Sequence, residues 1–311
     1  LKYSNFVRIN SRKKEENESY INLWERGAKI VGVLHGDEAA IILQTTRGNL
    51  ECIYPRKLVL VSIINALVQK CFKDALLMVR RHRIDFNVIV DYCGWQAFSQ
   101  LASEFVRQVK NLGYITEFVC SVKNVNIIEK LYKNHISVPC PKVADVMLVG
   151  GIQNCPAGNK VSSVLMAVRK ALEDHITESP AREFCILTTL ARSDPPLLED
   201  ALKRIKVIRE KELSHGDDQG RMSYPSAEEA LKHLLWLADS DAVYEAALGL
   251  YDLNLAAIVA LHAQKDPKEF LPFLQELERM PTLLMQYNID LRLKRFEKAL
   301  RHIASAGRFS L

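Results

Sequence analysis

The spacing of apolar positions changes once along the chain, near Pro55. Before it, short runs alternate with a period of two. Phe6–Ile9, Ser19–Trp24, Lys29–Leu34, Ala39–Gln44 and Asn49–Tyr54 are rich in β-branched and aromatic residues. Turn signals at Gly27, Gly36-Asp37 and Arg47-Gly48-Asn49 separate them, and Lys13–Glu18 makes a charged loop tip. This predicts an antiparallel β segment over 1–54 with the strand content of the last blade of a WD40-type propeller. After Pro55, which suits a first helical position, the period becomes that of a helix. Leu58, Val61, Ile64 and Leu67 predict one helix, Phe72–Arg81 a second, and Val88, Ile89 and Tyr92 a third that Asp85 or Asn87 can cap. Phe98–Leu112 and Tyr114–Ser121 continue the pattern. Ile136–Asn159, with three prolines and three glycines, predicts a long connector carrying one helical turn at Lys142–Met147. Helices resume over Lys160–His175, Ala181–Ala191 and Pro196–Leu213, and Ser214–Tyr224 is a second polar break.

The last quarter, Glu228–Gly307, is helix after helix with short joints. Its apolar stripes are Leu231, Leu234, Leu235 and Ala238, then Leu255, Ile258, Val259 and His262, then Phe270, Phe273, Leu274 and Leu277. Leu283, Leu284, Tyr287 and Leu291 form the next, and Phe296, Ala299, Leu300 and Ile303 the last. A helix of about three turns with one apolar stripe cannot bury that stripe alone, so such helices stack on their neighbours. An aromatic-x-x-Ala-Leu motif recurs at Phe72–Leu76, Tyr244–Leu248 and Phe296–Leu300, and a second signature recurs at Ile84–Asn87 and Tyr251–Asn254. The small Ala permits close helix approach, and the Asp of the second signature starts the partner helix. The fold class expected is mostly α, an α-solenoid of tetratricopeptide-like hairpins preceded by the β segment. It divides into 1–54, a first helical part at 55–135, the connector at 136–159, and a continuing solenoid at 160–311.

Composition adds bounds. The 311 residues are 48% apolar and 25% charged, ordinary for a globular chain, and the charge of +5 neither requires nor excludes a nucleic acid. Seven cysteines, an odd number with no C-x-x-C spacing, favour reduced thiols over a disulfide framework. No apolar run reaches the ~20 residues needed to span a bilayer, so no membrane partner is expected. The start, Leu1-Lys2-Tyr3, is read as that of a piece of a longer protein.

Candidate chemistry is sparse. The eight histidines do not cluster, no metal-ligand or nucleophile motif occurs, and the glycines of 150–160 lack the order of a phosphate loop. Asp239-Ser240-Asp241 is read as a capping site, and His262 as a core or boundary histidine. No catalytic residue, cofactor or metal is expected. Two basic clusters are candidate RNA or partner contacts: Arg80, Arg81 and Arg83 with His82, and Arg292, Arg295 and Arg301 with Lys294, Lys298 and His302. The plainer reading of each is a solvated helix face. Trp236 and Tyr251 are candidate partner anchors, whereas Phe270 and Phe273 are read as core.

Several stretches resemble a known family. They are Gly48–Glu51 running to Tyr54-Pro55-Arg56 and Leu58-Val59-Leu60, Arg81–Asp91, Leu250–Leu277 and Arg292–Gly307, with Asp266–Leu274 the most specific. They are similar to the propeller-to-solenoid region of the Elongator complex subunit 1 family, over most of 40–307, with a composition like that of plant members. The resemblance implies a non-catalytic scaffold, cytoplasmic and also nuclear. Its partners would be Elongator subunits 2 and 3. A homodimer contact would lie beyond Leu311, and tRNA would be met through other parts of the complex. The complex modifies wobble uridines of tRNA at carbon 5, and a different subunit carries the catalysis. Two other readings stay open: a propeller–solenoid of a vesicle coat, and an array that binds RNA directly through its basic helix faces.

Overall fold

The computed structural model describes residues 27–34, 40–132, 159–215 and 224–308. The expected strands within 1–24, the turn at Gly36-Asp37, most of the 136–159 connector and residues 216–223 lie outside the described residues. Three strands, β1 (Lys29–Leu34), β2 (Ala40–Gln44) and β3 (Leu50–Ile53), form an antiparallel sheet in the order β1-β2-β3. Ile41 faces Val33 on one side and Ile53 on the other. The central strand carries the burial, with Ala40, Ile41 and Leu43 inside. The β2–β3 turn closes through Gly48, whose φ of +88° suits a residue without Cβ, and whose N–H donates to the Thr45 carbonyl.

Fourteen α-helices follow among the described residues. The first four are α1 (Arg56–Val68), α2 (Phe72–Arg81), α3 (Asn87–Cys93) and α4 (Trp95–Val109). Next come α5 (Leu112–Ser121), α6 (Lys160–His175), α7 (Pro180–Ala191) and α8 (Leu198–His215). The last six are α9 (Ala227–Leu237), α10 (Ser240–Gly249), α11 (Leu253–His262), α12 (Pro267–Glu278), α13 (Thr282–Arg292) and α14 (Phe296–Arg308). A π-helical turn, Ile128–Tyr132, lies between α5 and α6. The described residues fall into two compact units, drawn from Leu1–Asn111 with Ser121–Ala171 and from Leu112–Cys120 with Leu172–Leu311.

In the first unit, Phe72, Phe98 and Phe105 meet edge to face with centroids 5.5–6.3 Å apart and are fully buried. Gln108 of α4 accepts from the Phe72 N–H at 2.8 Å and donates to the Lys70 carbonyl at 2.8 Å, clamping the α1–α2 turn. Asp85 starts α3, as its signature predicted, by accepting from the Asn87 N–H at 2.9 Å. Asn87 is not a cap. It is buried, donates to the Ser121 carbonyl at 2.8 Å and accepts from the Lys123 N–H at 3.0 Å. Lys160, at the start of α6, completes this network through Asp91, Asn87 and the Val125 carbonyl. The expected helix at Phe98 begins earlier, at Trp95, because Gly94 (φ +79°) reverses the chain there.

In the second unit the caps are local, and Asp239 and Asp252 cap as the sequence implied. Ser179, Asp239, Asp252 and Asp266 each accept a backbone N–H of the first turn, and Pro180 and Pro267 follow two of them. Ser226 and Glu229 form a reciprocal capping box. The helix expected over Pro196–Leu213 is shifted, because Pro195 and Pro196 lack donors and α8 begins after them and runs to His215.

Two expected stripes are corrected. In α13 the fully buried positions are Ile289 and Asp290, with Leu284 and Leu291 exposed, because a charged network rather than an apolar seam faces inward there. Among the described side chains of α14 only Ala299 is buried. Phe296 and Leu300 are 63% and 67% exposed, since no element among the described residues covers that face. The other two copies of the motif, in α2 and α10, bury their aromatic, Ala and Leu positions. The described cysteines, Cys52, Cys71, Cys93, Cys120 and Cys185, are free thiols, and Cys140 and Cys155 lie outside the described residues.

Candidate partner surface and the basic helix faces

The capping box sets the phase of α9. It turns Ala230, Leu231 and Leu234 inward and leaves Trp236 pointing out, 80% exposed. Behind the indole stands the His233 ring, with centroids 6.5 Å apart, and the Phe184 ring packs on His233 at 4.9 Å. Thr188 Oγ1 and His233 Nε2 share a hydrogen bond at 3.0 Å, and burial holds the imidazole pKa below its ordinary value. A largely exposed indole on a neutral aromatic shelf has two stiff χ angles and apolar area to lose to a partner.

Tyr251 sits differently. Its backbone is left-handed (φ +59°) at the end of α10, and its hydroxyl donates to Asp290 Oδ2 at 2.7 Å. Burial, then the Asp290 carboxylate, pushes the phenol pKa up to about 12. His302 Nε2 of α14 lies 3.3 Å from the same oxygen. Next to them Arg295 reaches Glu199 at 2.5 Å. The guanidinium passes over Gly249, where a Cβ would come within 2.5 Å of it. Tyr251, Asp290 and His302 therefore tie the end of α10 to α13 and α14.

The two basic clusters separate in the same way. Arg80 is half-buried, while Arg81 and Arg83 are exposed at the end of α2, where terminal carbonyls favour cations. The Arg83 carbonyl also accepts from Arg56 at 3.2 Å. In the second cluster, Arg292 lies over the Phe273 ring at 4.2 Å, Arg295 is held by Glu199, and exposed Arg301 pairs with Glu297 one turn away. The structure brings Arg295 to Tyr251 but does not gather the three arginines into one patch. Phe270 is buried and Phe273 half-buried, and His262 is a boundary residue. Sequence reasoning missed Asp290, Glu199 and Gly249. Only Asp290 carried a signal, a carboxylate between Ile289 and Leu291. Among the described residues no three His, Cys, Asp or Glu side chains are grouped to hold a metal, and no helix is long and apolar enough to cross a membrane.

Serial helices, repeated motif positions and side-chain clamps at the turns define a helical-repeat protein of the α-solenoid class. The chain belongs to the ELP1 alpha-solenoid family, whose family model matches residues 56–277, from the first residue of α1 into α12. It is 66% identical over 303 residues to Elongator complex protein 1 of Arabidopsis thaliana, covering 97% of this chain and 22% of that protein. It is 35% identical to the Mus musculus protein of the same name (91% and 20%) and 30% identical to that of Saccharomyces cerevisiae (90% and 20%). The chain thus spans about a fifth of the length of these curated relatives.

Proposed function

We propose that this chain is a non-catalytic scaffold segment of an Elongator complex. It holds partner subunits around the catalytic subunit that modifies wobble uridines of tRNA at carbon 5. The observation that carries this reading is the 66% identity to Elongator complex protein 1 over nearly the whole chain. In this reading the three strands before α1 are the end of a propeller, and the helices form the first part of the solenoid. Subunits 2 and 3 are the partners, and self-association of the full-length protein uses a region beyond Leu311. The protein works in the cytoplasm and also in the nucleus. Trp236 is the anchor residue on the exposed face of α9. Arg81 and Arg83 are secondary partner contacts.

The test is mass spectrometry of proteins copurifying with the intact protein, wild type and Trp236→Ala. Wild type is expected to bring down the other Elongator subunits. The variant is expected to melt as wild type does and to lose part of that set. Recovery of vesicle-coat proteins in their place would overturn the reading. Trp236→Ala copurifying the full set would remove Trp236 from it.

A further inference from the structure

A cleft of about 260 Å³ opens between α10, the turn after α11 and the end of α13. Tyr244, Lys265 and Arg292 line it. Tyr244 is 6% exposed, and its hydroxyl meets no hydrogen-bonding partner among the described residues. A buried hydroxyl left in that condition is destabilising, and a matching acceptor would relieve it.

Two cations line the same cleft. The Lys265 ammonium lies 5.0 Å from the Tyr244 ring centroid. The Arg292 guanidinium lies over the face of Phe273 at 4.2 Å, and no carboxylate among the described residues pairs with it. Burial raises the Tyr244 pKa, and Arg292 and Lys265 both oppose that rise, so both charges are felt at the phenol. A phenol O–H, a guanidinium and an ammonium lining one cleft are the complement of a carboxylate.

The chain already shows how such a group sits. Asp241, 71% exposed in the first turn of α10, reaches Lys265 from the mouth of the cleft. Its carboxylate can return to water at little cost, because an exposed ion pair contributes little. With Glu245 it also makes the rim acidic. A run of phosphates would meet those two carboxylates. A single acidic side chain entering between them would not have to lie along them. The volume is below the ~300–1,000 Å³ of pockets for drug-sized ligands and large enough to admit one acidic side chain.

We propose that this cleft receives one carboxylate side chain from an acidic segment of a partner protein, which takes the place of Asp241 on Lys265 and bonds to Arg292 and the Tyr244 hydroxyl. The site stands on its own geometry, whichever complex the protein joins.

The test is fluorescence anisotropy on the intact protein with three labelled probes. They are a short Glu-Gly repeat peptide, the same peptide with Gln for Glu, and an oligouridylate of matched charge. The Glu peptide is expected to bind and the Gln peptide not to. Tyr244→Phe keeps the ring and fold and is expected to bind the Glu peptide roughly tenfold more weakly, as is Arg292→Gln. Asp241→Asn removes the competing carboxylate and is expected to bind it up to about fivefold more tightly. Glu-peptide binding unchanged in Tyr244→Phe and Arg292→Gln, with melts like wild type, would overturn the proposal. So would equal binding of the Gln peptide, or oligouridylate binding lost in these variants while the Glu peptide does not bind.

Discussion

Lys160 offers a sharp test of how the first unit is held. Its ammonium has three N–H bonds and three acceptors: Asp91 Oδ1 at 2.6 Å, Asn87 Oδ1 at 2.8 Å and the Val125 carbonyl at 3.0 Å. The Lys160 and Asp91 side chains are 9% and 4% exposed. Lys160→Met keeps the stem and removes the charge. A buried pair broken from one side costs about 3–5 kcal/mol, because the remaining charge is unpaired. Asp91 keeps the Ile127 N–H at 2.8 Å, which places the expected loss near the lower figure, about 3 kcal/mol. Adding Asp91→Asn removes the stranded charge and is expected to restore half or more of the loss.

The pH dependence follows from the same network. Burial raises the Asp91 pKa above the usual carboxylate range, and Lys160 opposes the rise. Removing Lys160 lifts it further. A carboxyl whose folded pKa exceeds its unfolded value favours folding while protonated, and that contribution is lost as pH rises through the folded value. The deficit of Lys160→Met is therefore largest near neutral pH and shrinks in acid. Urea unfolding followed by circular dichroism at about pH 7 and about pH 4.5 measures both effects. A deficit under about 1 kcal/mol at neutral pH, an equal deficit at both pH values, or no rescue by Asp91→Asn would refute the reasoning.

Three further outcomes are expected. Gly249→Ala places a Cβ against the Arg295 guanidinium. Pushing it off Glu199 should outweigh the ~1 kcal/mol helix-propensity gain of alanine and leave a net loss of about 1–2 kcal/mol by denaturant unfolding. Tyr251→Phe leaves buried Asp290 without its phenol donor, at about 1–3 kcal/mol. Because the Tyr251 pKa is raised to about 12, the wild type loses this contribution between about pH 10 and 12, and stability profiles of the two proteins should converge there. Ser226→Ala breaks one half of the α9 capping box and should cost about 1 kcal/mol, with faster amide exchange in the first turn of α9.

What the sequence determined by itself is what needs only near neighbours. The starts of α10, α11 and α12 were legible because each cap bonds an N–H two or three residues on. The switch at Pro55 was legible because period two and period 3.6 are incompatible patterns, and the family was legible from runs such as Asp266–Leu274. Tertiary structure decided the rest. Asn87 looked like a cap and became a buried acceptor for Lys160, 73 residues away. Arg295 looked like part of a basic face and is held by Glu199, 96 residues back. Tyr244 read only as a repeat position until Lys265 and Arg292 came to share its cleft. Phe296 and Leu300 carry the same motif as Phe72 and Leu76 yet stand exposed, because a side chain is buried only if another element covers it, and an isolated helix pattern does not say which element that is.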